Sequence, residues 1–253
     1  MMEYRLDLAR TLDCGQAFRW TQSEDGLWQG TAGGKTLGVS QHDLSPVMED
    51  AFWRNYFDMD FDYEGAREAL AASSPVMAKA AAFSSGIQIL NQDPWEALCS
   101  FIISQNNNIK RIKGIISRLC CGGCFPTPEQ IIEIGVPGLR AIGLGFRDSY
   151  VYDAAFRVHS GLIDLDQIKT LDVPEATEAL KTIRGVGDKV ASCALLYGFH
   201  RLECFPMDVW MKRVMADLFD GMDGRDLFGP LAGLAQQYLF FYARELYYKE
   251  NSI

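Results

Sequence analysis

Two residues of the 253-residue chain, Lys189 and Asp208, have the types and spacing needed for nucleophilic attack on a sugar carbon. A neutral lysine amine can attack an electrophilic carbon and form an imine with it. A nearby carboxylate can stabilise the positive charge that develops on the sugar, or assist a proton transfer. Asp208 follows Pro206 and opens a predicted helix, a position where acidic residues more commonly act as N-caps. Catalysis and simple helix capping are therefore both open for Asp208.

Lys189 directly follows a turn, Gly185-Val186-Gly187, that joins two predicted helices within residues 174–200. Glycine permits a positive φ in such a turn, and Val186 can fill the apolar space between the helices. The first N–H groups of the second helix would point outward beside the glycines, where they could bind a DNA phosphate. The same helix N-terminus disfavours a charged ammonium at Lys189. A plain pair of helices is the alternative, but the two candidate catalytic residues favour a lyase-type DNA glycosylase with a helix-hairpin-helix motif.

The charge distribution permits DNA binding although the net charge is −9. Residues 101–215 carry 14 Lys and Arg against 12 Asp and Glu, whereas the rest of the chain carries 10 against 21. Residues 105–118 hold four basic side chains and no acidic one. Binding phosphates requires a local positive face rather than a positive total, so this segment is a candidate DNA-binding surface.

Several classes of protein are disfavoured by the composition. No apolar run reaches the roughly 18 residues of a membrane span, and the first residues lack the pattern of a signal peptide, so we expect an intracellular protein without a membrane partner. Seven irregularly spaced cysteines do not form a disulfide framework. Cys120, Cys121 and Cys124 lie close in sequence, but no second Cys-x-x-Cys or His pair accompanies them. We therefore expect no metal site and no cofactor.

The hydrophobic periodicity predicts an α+β fold, with a small N-terminal antiparallel sheet packed on a mainly helical body. The expected domains are 1–60 for the sheet and 61–253 for the helical body. Strands are predicted at 4–8, 17–22, 26–32 and 36–41. Helices are predicted at roughly 49–57, 63–71, 75–82, 94–104, 108–121, 128–133, 148–158, 174–184, 188–199, 208–219 and 228–247.

Four motifs in a fixed order resemble those of one protein family. They are GQAFRW at 15–20, SQNNNIKRI at 104–112, GLGFR at 143–147 and GPLAGLAQQYLF at 229–240. On these motifs the chain resembles, over nearly its whole length, the 8-oxoguanine DNA glycosylases of the Ogg family, within the helix-hairpin-helix glycosylase superfamily. The resemblance implies a monomer that excises 8-oxoguanine, most readily opposite cytosine, from duplex DNA in base excision repair. It also implies AP lyase activity through a lysine Schiff base and β-elimination.

The resemblance further implies the residues that catalyse the reaction and recognise the base. Lys189 would be the Schiff-base nucleophile and Asp208 its catalytic partner. The carbonyl group of Gly15 would accept a hydrogen bond from N7–H, which 8-oxoguanine has and guanine lacks. The remaining residues would enclose the flipped base, with Phe240 and Cys193 on its two faces, Gln236 on its Watson–Crick edge and Pro206 in the same pocket.

The other implied residues contact the duplex. Asn106 would fill the gap left by the flipped base, Phe146 would wedge into the stack, and Arg111 and Arg147 would bind the orphaned cytosine. The phosphate backbone would be held by Gly185, Gly187 and Val190 of the hairpin.

The chain departs from the family pattern at two positions. Trp210 stands where many animal members have His, which puts the phosphate contact of that His in doubt. Phe146 stands where many members have Tyr; a Phe can wedge but cannot donate a hydrogen bond, so we expect a looser preference for cytosine opposite the lesion.

Four alternative classes are each disfavoured by a feature of the sequence. A related glycosylase for oxidised pyrimidines or adenine commonly carries a C-terminal four-cysteine iron–sulfur site, but residues 205–253 contain no cysteine. Alkylbase glycosylases usually lack a lysine at the position of Lys189. A non-catalytic helix-hairpin-helix module would have no use for Lys189 and Asp208 together, and a metal-dependent nuclease would need a ligand cluster that the sequence lacks.

Overall fold

The computed structural model describes residues 6–247. A three-stranded antiparallel sheet consists of β1 (Trp20–Gln22), β2 (Trp28–Ala32) and β3 (Lys35–Val39). The strand order is β1-β2-β3, with Trp20 opposite Gly30 and Gly30 opposite Leu37. Together with the helical remainder, this sheet confirms the predicted α+β class.

Helices form most of the described chain. They are α1 (Leu8–Asp13), α2 (Ser45–Glu49), α3 (Ala51–Tyr56), α4 (Tyr63–Ser73), α5 (Pro75–Phe83), α6 (Pro94–Ser104), α7 (Ile109–Cys120), α8 (Pro128–Ala141), α9 (Asp148–His159), α10 (Leu165–Ile168), α11 (Val173–Lys181), α12 (Asp188–Gly198), α13 (Val209–Phe219), α14 (Gly224–Phe228) and α15 (Ala232–Tyr242). Short 3-10 turns lie at Gly145–Arg147 and Gly229–Leu231, and a π-helical turn spans Ala243–Tyr247. None of the helices within residues 6–247 has the length and apolar character required to cross a membrane.

The predicted strand at 4–8 is wrong where the structure describes it, and its first two residues lie outside the described residues. Leu8 begins α1, because the Asp7 side chain accepts the backbone N–H of Arg10 at 2.9 Å and caps the helix. The helix predicted at 128–133 is interrupted at Gly135 (φ 66°, ψ 166°), and a second helical segment follows the break and ends at Ala141. Sequence periodicity also missed the short helices α2, α10 and α14.

The apolar interior has two parts. Trp20, Trp53 and Phe57 pack between the sheet and α2–α3, whereas the central helices α6 and α12 pack in the larger core of the helical body. Gln16 connects these parts: it is fully buried, its amide donates to the carbonyl of Gln88 at 2.8 Å, and it accepts the N–H of Leu90 at 2.9 Å. These bonds fix the segment that carries Gly15 against the helical body. The domain limits 1–60 and 61–253 remain a prediction.

Candidate active site

The hairpin before Lys189 is formed by α11, a six-residue turn and α12. Helix α11 begins with a capping box between Asp172 and Glu175 and ends at Lys181, three residues earlier than predicted. Gly185 adopts φ +77°, as expected for the turn, but Gly187 is extended with φ −108°. The side chain of Val186 is buried in the core of the helical body, as expected for an apolar residue between the helices.

The N-terminus of α12 presents backbone donors without a side-chain cap. Gly187 is the N-cap and provides no side-chain hydrogen bond. The N–H groups of Asp188, Lys189 and Val190 therefore have no partner within the helix. The Asp188 carboxylate pairs with Lys181 at 2.8 Å, which lowers the pKa of Asp188. Because the Val190 side chain is buried, a contact from this residue to DNA would come from its N–H group. The arrangement suits a phosphate.

A cavity of about 60 Å³, called here the inner cavity, unites residues from distant parts of the sequence. Its lining includes every predicted catalytic and base-recognition residue: Gly15, Lys189, Cys193, Pro206, Asp208, Gln236 and Phe240. Four further lining residues were missed by the sequence reasoning: Cys14, Phe101, Tyr197 and Gln237. For Tyr197 a signal existed, because it lies eight residues after Lys189 on the same helix and thus on a similar face.

Lys189 lies half-buried at the wall of the inner cavity. Its Nζ is 3.4 Å from the Oγ of Ser104 and 5.4 Å from the ring centroid of Phe101. Cys193, one turn later, is buried, and that burial raises the pKa of its thiol although the neighbouring Lys189 acts in the opposite direction. Cys193 therefore remains a neutral thiol, suited to packing against a flat base.

Asp208 caps a helix and also lies beside the candidate nucleophile Lys189. It is the N-cap of α13, since its Oδ1 accepts the backbone N–H of Met211 at 2.7 Å. It also lines the inner cavity beside Lys189. Capping fixes the carboxylate in place, which is an advantage for a group that must stabilise developing charge.

A second depression of about 570 Å³, called here the outer groove, adjoins the inner cavity. Lys189 and Asp208 line both, so they stand at the boundary between them. The outer groove is also lined by Asn106, Gly187 and Val190, with Trp210 and Lys212 on the α13 side. Of the residues predicted to contact DNA, Gly185, Arg111, Phe146 and Arg147 line neither depression.

The segment from 105 to 111 presents exposed polar residues around a supporting arginine. Asn106 is exposed in the left-handed conformation, with φ +51°. Arg147 is 3% exposed and donates to the carbonyl groups of Gln105 at 2.6 Å, Leu144 at 3.1 Å and Asn106 at 3.2 Å. Burial, with a smaller effect of nearby Arg111, lowers the pKa of Arg147. The structure thus places Arg147 beneath the Asn106 loop, whereas Arg111 is exposed.

Phe146 is an apolar side chain on the surface. It is 51% exposed, its ring lies 4.3 Å from the guanidinium of Arg147, and it meets Tyr150 edge-on at 5.9 Å. An exposed ring held by two neighbours is a suitable wedge for a base stack.

Across residues 6–247, no three His, Cys, Asp or Glu side chains are grouped so that they could hold a metal ion.

Two family models together match residues 1–223. Residues 1–98 match the N-terminal domain of 8-oxoguanine DNA glycosylase, and residues 99–223 match the HhH-GPD superfamily of base excision DNA repair proteins. A probable N-glycosylase/DNA lyase of Methanothermobacter thermautotrophicus is 30% identical over 74% of this chain and 72% of its own length. The chain belongs to the 8-oxoguanine DNA glycosylase family.

Two other members of this family support the assignment. The N-glycosylase/DNA lyase of Saccharomyces cerevisiae is 29% identical over 83% of this chain and 67% of its own length. The 8-oxoguanine glycosylase/lyase of Clostridium acetobutylicum, solved with duplex DNA containing cytosine opposite 8-oxoguanine, is 34% identical. Its structure matches with a TM-score of 0.86 over 98% of this chain and 93% of that one. The family predicted from the four sequence motifs is therefore confirmed.

Proposed function

We propose that this 8-oxoguanine DNA glycosylase family member removes 8-oxoguanine from duplex DNA and then cleaves the strand as an AP lyase, in base excision repair. The N-glycosylase/DNA lyase relatives and the 8-oxoguanine glycosylase/lyase of C. acetobutylicum support this activity. Acting on DNA makes the protein DNA-associated. We further propose that it acts as a monomer in an intracellular compartment, the cytoplasm or nucleoid in a prokaryote.

One observation carries the proposal: Lys189 and Asp208 stand together where the inner cavity meets the outer groove. A flipped nucleotide would place its base in the inner cavity and its sugar at this boundary. The Lys189 amine, once neutral, attacks C1′, and the bond from C1′ to the base breaks. The base leaves with the bonding electrons and takes up a proton. The Asp208 carboxylate stabilises the positive charge on the sugar during this step.

The lyase step begins from the covalent bond between the nitrogen of Lys189 and C1′. The sugar ring opens, and the nitrogen of Lys189 and C1′ form an imine. The imine acidifies C2′–H, so loss of that proton and departure of the 3′ phosphate break the strand by β-elimination. Asp208, which lines the same boundary, is the candidate to assist these proton transfers. Water then hydrolyses the imine and restores the amine of Lys189.

Base recognition depends on the lining of the inner cavity. We propose that the carbonyl of Gly15 accepts the N7–H of 8-oxoguanine; guanine has a lone pair at N7, so two acceptors would face each other. Phe240 and Cys193 enclose the base, Pro206 completes the pocket, and Gln236 binds the Watson–Crick edge. The Oε1 of Gln236 is buried without a hydrogen-bond partner in the structure, which fits a group that awaits a ligand.

The DNA duplex would be held from both sides of the outer groove. The N-terminus of α12, with Gly187 and the N–H of Val190, would bind a phosphate, while Gly185 shapes the turn. On the other side, Asn106 would fill the gap, Arg111 would contact the opposite cytosine, and Phe146 would wedge into the stack. Arg147 would support this loop through its three carbonyl contacts, and a contact with the cytosine would use the two N–H groups that these bonds leave free.

The test is the release of bases from matched duplexes. The protein is expected to release 8-oxoguanine and to leave undamaged guanine, 3-methyladenine and an oxidised pyrimidine in place. Release of one of those other bases in preference to 8-oxoguanine would contradict the proposed substrate. Because Phe146 lacks a hydroxyl, rates opposite cytosine and adenine are expected to differ by less than about a hundredfold.

A further inference from the structure

Two adjacent glutamines on α15 each bury an unpaired polar atom against the inner cavity. Gln236 and Gln237 are 6% and 2% exposed, and both line the cavity. The Oε1 of Gln236 and the Nε2 of Gln237 have no hydrogen-bond partner. The other buried side-chain atoms without a partner among residues 6–247 belong to residues that do not line this cavity. Because buried polar groups are almost always paired, one free acceptor and one free donor together indicate a ligand that supplies the complementary pair.

The Gln237 amide is hydrogen-bonded to Tyr197. The hydroxyl of Tyr197 donates to the Oε1 of Gln237 at 2.7 Å, so the amide oxygen is occupied and Nε2 remains as the free donor. Burial raises the pKa of Tyr197 well above its usual value, which keeps this hydroxyl protonated. Its ring stacks on Phe101 with centroids 5.1 Å apart and an interplanar angle of 19°. The donor to Gln237 is therefore itself held in place.

We propose that Gln237 is a second base-recognition residue, and that it donates from Nε2 to the C6 carbonyl oxygen of flipped 8-oxoguanine. Tyr197 is a positioning residue that holds the amide in this orientation. Gln236 then accepts the N1–H through its Oε1. This inference rests on the proposed function and names how the same cavity reads the 6-position of the purine.

The hydrogen-bonding edge of the purine is the reason for this assignment. A guanine-type base carries an acceptor at C6 beside a donor at N1, which complements a free donor on Gln237 and a free acceptor on Gln236. An adenine-type base carries the reverse, an amino donor at C6 and an acceptor at N1. In the same pose it would leave both glutamine groups unpaired, and sites built on hydrogen bonds discriminate strongly against such analogues.

The experiment compares Gln237→Glu and Tyr197→Phe with the wild-type chain on duplexes that contain 8-oxoguanine or 8-oxoadenine. Glutamate keeps an acceptor for Tyr197 and replaces the Nε2 donor by a second acceptor. We expect Gln237→Glu to lower kcat/KM on 8-oxoguanine by about 10- to 100-fold and to lower the preference for 8-oxoguanine over 8-oxoadenine by more than about tenfold. Tyr197→Phe removes only the positioning hydroxyl, so a smaller loss on 8-oxoguanine is expected.

Two controls separate recognition from folding. Borohydride trapping on abasic DNA reports the Lys189 chemistry without a base, and it is expected to survive in both variants. Gln88→Met removes a buried glutamine that also has an unpaired Oε1 but does not line the cavity, and it is expected to leave base preference unchanged.

A wild-type rate and preference in Gln237→Glu would overturn the inference. Parallel losses on 8-oxoguanine, 8-oxoadenine and abasic DNA in both variants would also overturn it, since Gln237 would then act only on the structure. Failure of the wild-type chain to release 8-oxoguanine is a different result, which would refute the proposed function itself.

Discussion

The aromatic ring of Tyr150 covers Gly185 so closely that a Cβ at this glycine would lie 2.2 Å from a ring carbon. Gly185 also has φ +77°, a backbone conformation that residues with a side chain rarely adopt. At Gly187, by contrast, the backbone is extended and a Cβ would meet no atom within 4 Å. The two glycines of the hairpin therefore serve different purposes, one in the fold and one at the surface.

Alanine at these two positions is expected to separate folding from DNA binding. Gly185→Ala combines a positive φ with a clash, so we expect a loss of about 3 kcal/mol in the free energy of unfolding. Gly187→Ala should cost about 1 kcal/mol or less but weaken DNA binding, because its Cβ occupies the open side of the α12 N-terminus. Urea denaturation and fluorescence anisotropy with a labelled duplex measure the two effects. Equal destabilisation by both substitutions would contradict this division of roles.

Alanine substitutions at Arg147 and Arg111 are also predicted to separate protein stability from DNA binding. Arg147→Ala removes a buried guanidinium that donates to three carbonyl groups, so we expect a loss of about 3 kcal/mol in stability. Arg111→Ala removes an exposed side chain and should change stability by less than about 0.5 kcal/mol. It should instead lower affinity for a duplex with cytosine opposite the lesion. If Arg147→Ala proves as stable as Arg111→Ala, the assignment of Arg147 as the support of the Asn106 loop is wrong.

Glu96 is expected to make stability fall as the pH rises. Its side chain is 14% exposed and pairs with Arg19 at 3.3 Å, yet burial raises the pKa of Glu96 from 4.5 to about 7. Between these two values the folded chain binds more protons than the unfolded chain, so the free energy of unfolding decreases as the pH increases through that window. The full effect is up to about 3 kcal/mol.

The variant Glu96→Gln isolates this contribution. The free energy of unfolding of Glu96→Gln minus that of the wild type should increase by about 2–3 kcal/mol from pH 4.5 to pH 8. This expectation concerns the change in the difference and does not depend on how stable the variant is at either pH. Urea denaturation across this pH range measures the difference, and Glu133→Gln, at an exposed position, serves as the control. If the difference in the free energy of unfolding between the wild type and Glu96→Gln stays constant with pH, Glu96 does not titrate in this window.

Local sequence patterns predicted the elements that depend on local interactions. The helices α4, α6 and α12 follow their predicted ranges closely, because apolar periodicity and flanking caps agree there. The segment before Leu8 alternates like a strand, but the Asp7 cap favours a helix. The helical periodicity of the sequence also stops at Gly135, so it did not predict the second half of α8.

The site was predictable to the extent that motifs carry it. Residue type and spacing paired Lys189 with Asp208, whereas only the family resemblance added Gly15 and Gln236 to the same pocket. Tyr197 and Gln237 belong to none of the functional assignments made from those motifs. Their pairing depends on the packing of α12 against α15, which no local pattern reveals. The burial of Arg147 is likewise a result of tertiary structure.

The most direct test of the central claim is borohydride trapping on a duplex with 8-oxoguanine opposite cytosine. Borohydride reduces the imine between the amine and C1′ to a stable bond, so a covalent adduct reports the nucleophile. We expect an adduct with the wild-type chain and with Lys79→Gln, which removes an exposed lysine on α5, but none with a Lys189→Gln variant that still binds the duplex. An adduct formed equally by Lys189→Gln, or no adduct from a folded wild-type chain that binds the duplex, would contradict the assignment of Lys189 as the nucleophile.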